Sequence, residues 1–394
     1  MSFLSSLRAA FKGGAPGRVP LARSFVSPWQ WAYERGGTRL PFEYRSAVRH
    51  GYLDNPVAQR AVRLVAESVG GAPLAQADEE VMALVSATSA GQSLLETVAA
   101  YLMLHGNAFV QVAKDADGRP VELFALRPER VSVIADEEGW PRAWRYKVGD
   151  RTIDIPVEDE DGWPNLVHLK AFHPADDHYG AGCLAAADQA VAIHNAAAAW
   201  NRALLENAAR PSGALVFDGA AEGMTAEQFE RLKAELLAAY QGSANAGRPM
   251  VLEGGLKWQS LSLSPADMDF AELKAAAARD IALAFGVPPM LLGLPGDNTY
   301  SNYREANRAL WRLTLLPLAD KILNGLEEAL RAWFPGLDLH VDLDRVPALS
   351  EDRERLWAQV SAADFLGEDE KRAMLGLPPA PNGGLSPAPK EKTQ

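Results

Sequence analysis

A single cysteine, Cys183, is all the thiol this 394-residue chain contains. One thiol can neither close an internal disulfide nor supply a multi-cysteine metal site, and the composition suits a reducing compartment. Apolar residues make up 48% of the chain, yet no unbroken run of 18 exists, so no segment reads as a membrane-spanning helix. Basic residues are in deficit. The 39 Lys and Arg stand against 51 Asp and Glu, for a formal net charge of −12. A chain of that sign does not wrap nucleic acid by neutralising phosphates, which needs clustered cations. Catalytic signatures are missing as well: there is no GxxxxGK(S/T) phosphate loop, no GxGxxG after a strand, no GxSxG elbow and no HExxH helix. A nucleotide-driven motor is thereby disfavoured, and no cofactor is expected.

The residues that could still carry chemistry are few. His168, His173 and His178, with Asp176 and Asp177, recur every five positions, which does not put three imidazoles on one face of a helix or strand. Asp338, Asp342 and Asp344 resemble a carboxylate cluster, but their alternation places Asp338 and Asp342 on the outer face of an edge strand. No metal site is assigned to either group. Cys183 opens an apolar helix and reads as a small buried side chain. The ten tryptophans are scattered, as core and interface anchors are, and form no base-stacking platform.

What is present is architecture. The first 45 residues read as a flexible arm. Phe3, Leu4, Leu7 and Phe11 make its start amphipathic, and the first 40 residues carry six Lys or Arg against Glu34 alone. Asn55-Pro56 is a cap followed by a proline at the first helical position, and Ser93 with Glu96 is a capping box. From Asn107 the period changes to that of strands. These fit 108–112, 121–126, 130–134, 140–148, 151–155 and 166–171, with Asp117-Gly118 as a hairpin turn. The fold class is α+β: a mostly antiparallel sheet with helices on one side.

At Tyr179 the pattern changes again. Residues 182–209 contain no proline and no interior glycine, and Leu184, Val191, Ala198 and Leu205 recur every seven positions, as do Ile193 and Trp200. Such a seam belongs to a helix packed lengthwise against other helices. A strand-helix-strand insert follows. It has a strand at 214–217, a helix capped by Thr225 with Phe229, Leu232, Leu236 and Tyr240 on its apolar face, and a hairpin of 250–252 with 257–263 that includes Trp258. A second helix over 265–285 presents Phe270, Leu273, Ala277, Ile281 and Phe285. The loop GVPPMLLGLPGDNTYSN runs on to Asn302, where a third long helix starts, with a kink expected at Pro317. Residues 337–343 alternate strictly and read as a strand rejoining a sheet, 351–375 as two short helices broken near Gly367, and 378–394 as a disordered Pro/Gly/Lys-rich tail.

In their order, the runs NPVAQRAVRLVAESVGGAPL, LLETVAAYLMLHGNAFVQV, YGAGCLAAADQAV, NRALLENAARPSGALVF, GRPMVLEGGLKWQSLSLSPADMDFAE and RDIALAFGVPPMLLGLPGDNTYSN resemble the portal proteins of long-tailed double-stranded DNA bacteriophages, over about residues 50 to 378. The compact, alanine-rich chain also resembles the portals of prophage-derived gene transfer particles. The resemblance implies a ring of twelve copies at one capsid vertex, with double-stranded DNA passing through its channel. It implies the large terminase, a head-completion or adaptor protein and the major capsid protein as partners, and no membrane. It divides the chain into a basic arm (1–45), an α+β wing (46–181), stem helices (182–209 and 264–286), a clip (210–263), a tunnel loop (287–302), a tunnel helix with a return strand (303–349), a crown (350–377) and a tail. Stem packing would fall to Leu184, Val191, Ala198, Leu205, Phe270, Leu273 and Ile281, and clip docking to Phe229, Tyr240 and Trp258. The polar residues Asp297, Asn298, Thr299, Tyr300, Ser301 and Asn302 would brush the duplex. Two other readings use the same residues: a metal-dependent hydrolase built on the 338–344 carboxylates, and a non-viral helical scaffold.

Overall fold

The computed structural model describes residues 43–75, 78–89, 91–206, 213–217, 256–260, 270–295 and 300–377, with a few single positions between 225 and 234. The arm, the tail, most of the insert and residues 296–299 lie outside the described residues. Helix α1 (Tyr44–Val48) runs into a π turn (Arg49–Leu53), and α2 (Pro56–Gly70) follows. Asn55 caps α2 as its sequence demands, its side-chain oxygen accepting from the backbone N–H of Val57 (3.1 Å) and Ala58 (3.0 Å). A short α3 (Glu79–Val85), not foreseen from periodicity, is started by Asp78, whose carboxylate accepts from Glu80 N–H. Helix α4 (Leu94–His105) begins at Ser93, which accepts from Glu96 N–H at 3.0 Å. It buries Leu94, Leu95, Val98, Ala99, Leu102, Met103 and Leu104, more than one face.

Strands β1 (Asn107–Lys114), β2 (Pro120–Leu126), β3 (Val131–Ala135), β4 (Pro141–Val148), β5 (Arg151–Pro156) and β6 (Leu166–Lys170) fall close to the expected spans. They form two antiparallel three-stranded sheets, in the orders β2-β1-β6 and β3-β4-β5. Central strand β1 is buried on both faces. Ala108, Val110 and Val112 enter the main core with α2 and α4, while Phe109 joins Leu126, Val131, Trp144 and Leu166 in a second core between the sheets. Phe109 stacks on His168 (centroids 4.3 Å apart) and meets Trp144 edge-on.

The long helix α5 spans Cys183–Glu206, about 36 Å at 1.5 Å per residue. Strand β7 (Gly213–Phe217) pairs antiparallel with β8 (Leu256–Ser260), Trp258 opposite Leu215. Helix α6 (Phe270–Ala284) returns against α5. Then α7 (Tyr300–Leu310), a π turn (Trp311–Leu315) and α8 (Leu316–Leu330) form one long helical run. Pro317 has no N–H to give, and its ring would strike the carbonyl of Leu313. The irregularity foreseen at Pro317 takes the form of the widened turn just before it.

One strand expectation is corrected. Leu339 and Val341 are buried as their alternation requires, but 337–343 is not a strand; it makes a single bridge, Val341 to Leu74. On one side of that bridge the partner segment contains Pro73, which has no N–H to return to Asp342 O, so the ladder cannot extend past it. The Glu327 carboxylate satisfies Leu339 N–H instead, at 2.9 Å. Helices α9 (Ser350–Ala362) and α10 (Glu368–Met374), divided at Gly367, are the last of the described elements.

Candidate functional site

The site is the α5–α6 pair, the junction that anchors it and the loop that leaves it. The anchor is a knot of backbone. Gly106 ends α4 in the left-handed conformation (φ 80°), and the residues 180–182 lie directly against it. A Cβ on Gly180 would sit 2.1 Å from Gly106 O and 2.6 Å from Ala171 N; one on Gly182 would sit 2.6 Å from Leu104 O. The glycines of the YGAG run are there because only backbone fits. Asn107, 1% exposed, stitches the contact. Its Oδ1 accepts from Gly180 N–H (2.7 Å) and His168 Nε2–H (3.0 Å), and its Nδ2 donates to Gly180 O (3.1 Å) and His105 Nδ1 (3.1 Å). The Tyr179 hydroxyl accepts from Val133 N–H at 2.9 Å. Burial disfavours the charged form of both imidazoles and pushes the His105 pKa down to about 4 and that of His168 to about 3.

A second tie holds α5 at mid-length. The Asn55 amide that caps α2 also donates to Asn195 Oδ1 (2.9 Å) and faces His194 Nδ1 (3.2 Å), while Asn195 donates to His50 O (2.9 Å). The buried face of α5 is Leu184, Ala187, Val191, His194 and Ala197, a spacing of three and four. Facing it, α6 buries Ala277, Ala278, Ile281 and Ala282, and Phe285 is buried just past its end.

Of the sequence-assigned packing residues, Leu184 (1% exposed), Val191 (3%) and Ile281 (0%) lie in this seam, and Ala198 is half-buried beside it. Leu273 does not: it is 45% exposed. It sits one turn beyond the Ala277–Ile281–Phe285 stripe, where α6 has left the main core. Trp200 (44%) and Leu283 (79%) also show large surfaces on the pair. The side chains of Leu205, Phe270 and Trp258, and all of Phe229 and Tyr240, lie outside the described residues.

After α6 the chain is tied twice. Gly286 turns with φ 64° and its carbonyl accepts from Thr314 Oγ1 (2.7 Å); Arg279 donates to Pro295 O (2.7 Å) across the 3-10 turn Pro289–Leu292. Asp297, Asn298 and Thr299 fall outside the described residues. Tyr300, Ser301 and Asn302, expected in the loop, form the first turn of α7, with Ser301 and Asn302 exposed. Behind them Arg304 and Arg308 pair with Glu351, and Arg308 also with Glu305 and Asp352, tying α7 to α9.

The metal candidates disperse. His168 is in the knot, His178 Nε2 donates to Gly139 O, and His173 Nδ1 accepts from Ala175 N–H. Asp338 pairs with His340, Asp342 caps a turn, and the Arg353 guanidinium holds the Asp344 carboxyl below the usual carboxylate range. Among the described residues no group of three or more such side chains could hold a metal ion. Burial raises the Cys183 thiol, the wrong direction for a nucleophile.

Comparison with known proteins bears on what such a helix pair is for. The family model described as phage portal protein matches residues 56–376. An uncharacterized protein of Rickettsia felis is 41% identical over 351 residues, covering 84% of this chain and 89% of its own length. A chain from the neck of a native gene transfer agent particle, computed with twelvefold symmetry, is 45% identical, with a TM-score of 0.66 over 89% of this chain and 99% of that one. An HK97-family phage portal protein from Corynebacterium diphtheriae shares the fold at 18% identity and a TM-score of 0.54, over 75% of this chain and 96% of that one.

Proposed function

The chain belongs to the phage portal protein family, and from that premise we propose that it assembles as a ring of twelve at one vertex of a capsid and forms the channel through which double-stranded DNA is packaged and released. The observation that carries this is the α5–α6 pair. It is a long, rigidly anchored stave that buries one face within the chain and leaves Trp200, Leu273 and Leu283 exposed on the others. Side-by-side copies would cover such flanks by a head-to-tail contact that closes into a ring. The 45% identity to the gene transfer agent neck chain, over nearly the whole length of that chain, favours that particle type over an infectious phage.

In this reading 46–181 is the wing, α5 and α6 are the stem, and 210–263 is the clip that meets the large terminase and later the head-completion protein. Residues 350–377 form the crown facing the capsid interior, and the major capsid protein surrounds the wing. The chain supplies no motor; a separate ATPase moves the DNA. Twelve copies of a chain at −12 make an acidic conduit that repels phosphates, so the duplex can slide without deep binding minima. In the same reading residues 287–302 line the narrowest point of the channel. Deleting Pro295 to Thr299 leaves ring assembly intact but lowers the nuclease-protected DNA per particle by more than an order of magnitude. Loss of the ring on deletion would make the loop an intersubunit clamp instead.

A further inference from the structure

The β3-β4-β5 sheet is electrically polarised along its strands. At one end, where β3 begins and β4 turns into β5, an open cleft of about 490 Å³ is lined by Arg45, Arg130 and Lys147. The acid on this cleft, Glu129, already lies 3.9 Å from Arg127. Arg45, Arg130 and Lys147 make no ion pair with any described residue, although the chain as a whole has a surplus of acids. The opposite end carries the reverse charge. The β3–β4 turn there holds Asp136, Glu137 and Glu138, and the loop after β5 holds Glu158, Asp159, Glu160 and Asp161. The strand register puts both at the same end: Ala135 is opposite Pro141, Ala143 is opposite Pro156, and Val157 N–H donates to Arg142 O. Asp159 is taken by Lys114 and Asp136 folds back to cap its own turn. Glu137, Glu138, Glu158, Glu160 and Asp161 are exposed, and no described cation pairs with them. At about 3.3 Å per residue the eight residues of β4 separate the two ends by roughly 25 Å.

We propose that the two ends of this sheet meet on neighbouring copies of the chain, the cleft of one protomer receiving the acidic turns of the next. The inference rests on the ring reading above and names a contact within it. A closed ring needs two different, complementary patches on each subunit, and a sheet with opposite charge at its ends offers such a pair on one rigid element. The Arg145–Asp154 pair (2.8 Å) neutralises the middle of the exposed face, so the unmatched charge is confined to the ends. The contact sets register and speed of assembly more than its strength, because rim charges act mainly on encounter and on rejecting wrong pairings.

The test is charge reversal in the full-length chain, with assembly followed by sedimentation across salt concentrations. Arg130→Glu with Lys147→Glu, and separately Glu137→Lys with Glu138→Lys, each lower the assembly rate at low salt by at least about tenfold. The four substitutions together recover most of it. Additive losses in the combined variant, or reversals without effect on a wild type that does form rings, overturn the proposal. Intact assembly with reduced DNA retention would also overturn it, assigning the cleft to nucleic acid. A chain lacking residues 1–42 keeps the same pattern; if it loses it, the acidic end receives the basic arm and not the neighbouring sheet. Wild type that forms no ring at any salt fails the ring reading itself.

Discussion

Gly180→Ala yields a chain that does not reach its native fold, with a destabilisation of at least about 4 kcal/mol, in the range reserved for broken backbone packing. The added Cβ meets Gly106 O at 2.1 Å and both the N and O of Ala171 at 2.6 and 2.7 Å. All three obstacles are main chain, so no side-chain rotation relieves them. The affected contact also carries four of the buried Asn107 hydrogen bonds and the start of α5, so the body and the helix pair separate together. Gly293→Ala is the control. Gly293, unlike Gly180, has a positive φ (75°), but nothing lies within 4 Å of its added Cβ, and the cost is only the roughly 1 kcal/mol of left-handed backbone. Soluble yield and urea unfolding of the two variants measure the difference. Equal midpoints for the two would mean that the knot does not join body to stave.

Acid loosens the same junction. His105 and His168 have folded-state pKa values of about 4 and about 3, below the ordinary 6.5, because burial disfavours their charged forms. A lowered basic pKa means that the unfolded chain binds the extra protons. Their contribution is therefore fully present above pH 6.5 and is lost as pH falls through the interval down to 4 and 3. By pH 4 the loss is on the order of 3 kcal/mol for each imidazole. There is a direct structural reason: a proton on His105 Nδ1 would face the Asn107 amide that donates to it. Unfolding free energy measured from pH 7 to pH 4 falls steeply, and above the range where paired carboxylates such as Asp344 and Asp154 begin to titrate. A flat profile over that interval contradicts the arrangement.

The sequence displays some of this plainly and hides the rest for identifiable reasons. The Asn55 and Ser93 caps, the hairpins and the long helices depend on residues within a few positions of one another, and local pattern finds them. The resemblance carried by the YGAG run and the GVPPMLLGLPGDNTYSN loop led to the family. The knot is invisible to such reading, because Asn107 and Gly180 are 73 residues apart and the glycines look like ordinary punctuation. Residues 337–343 alternate like a strand because burial alternates, but pairing depends on the neighbour, and the neighbour contains Pro73. The tie between Asn55 and Asn195 spans 140 residues, so no local pattern shows that one side chain serves two helices. Leu273 has the right type and nearly the right spacing for the seam. Its exposure follows from where α6 leaves the core, which only the assembled chain shows.

Images of the purified full-length chain show directly whether it closes into a ring. Closed rings of twelve copies are expected, around an opening that admits duplex DNA, with the α5–α6 pairs side by side around it. A stable monomer at every concentration and salt, or an open helical filament in place of a ring, would contradict the ring reading.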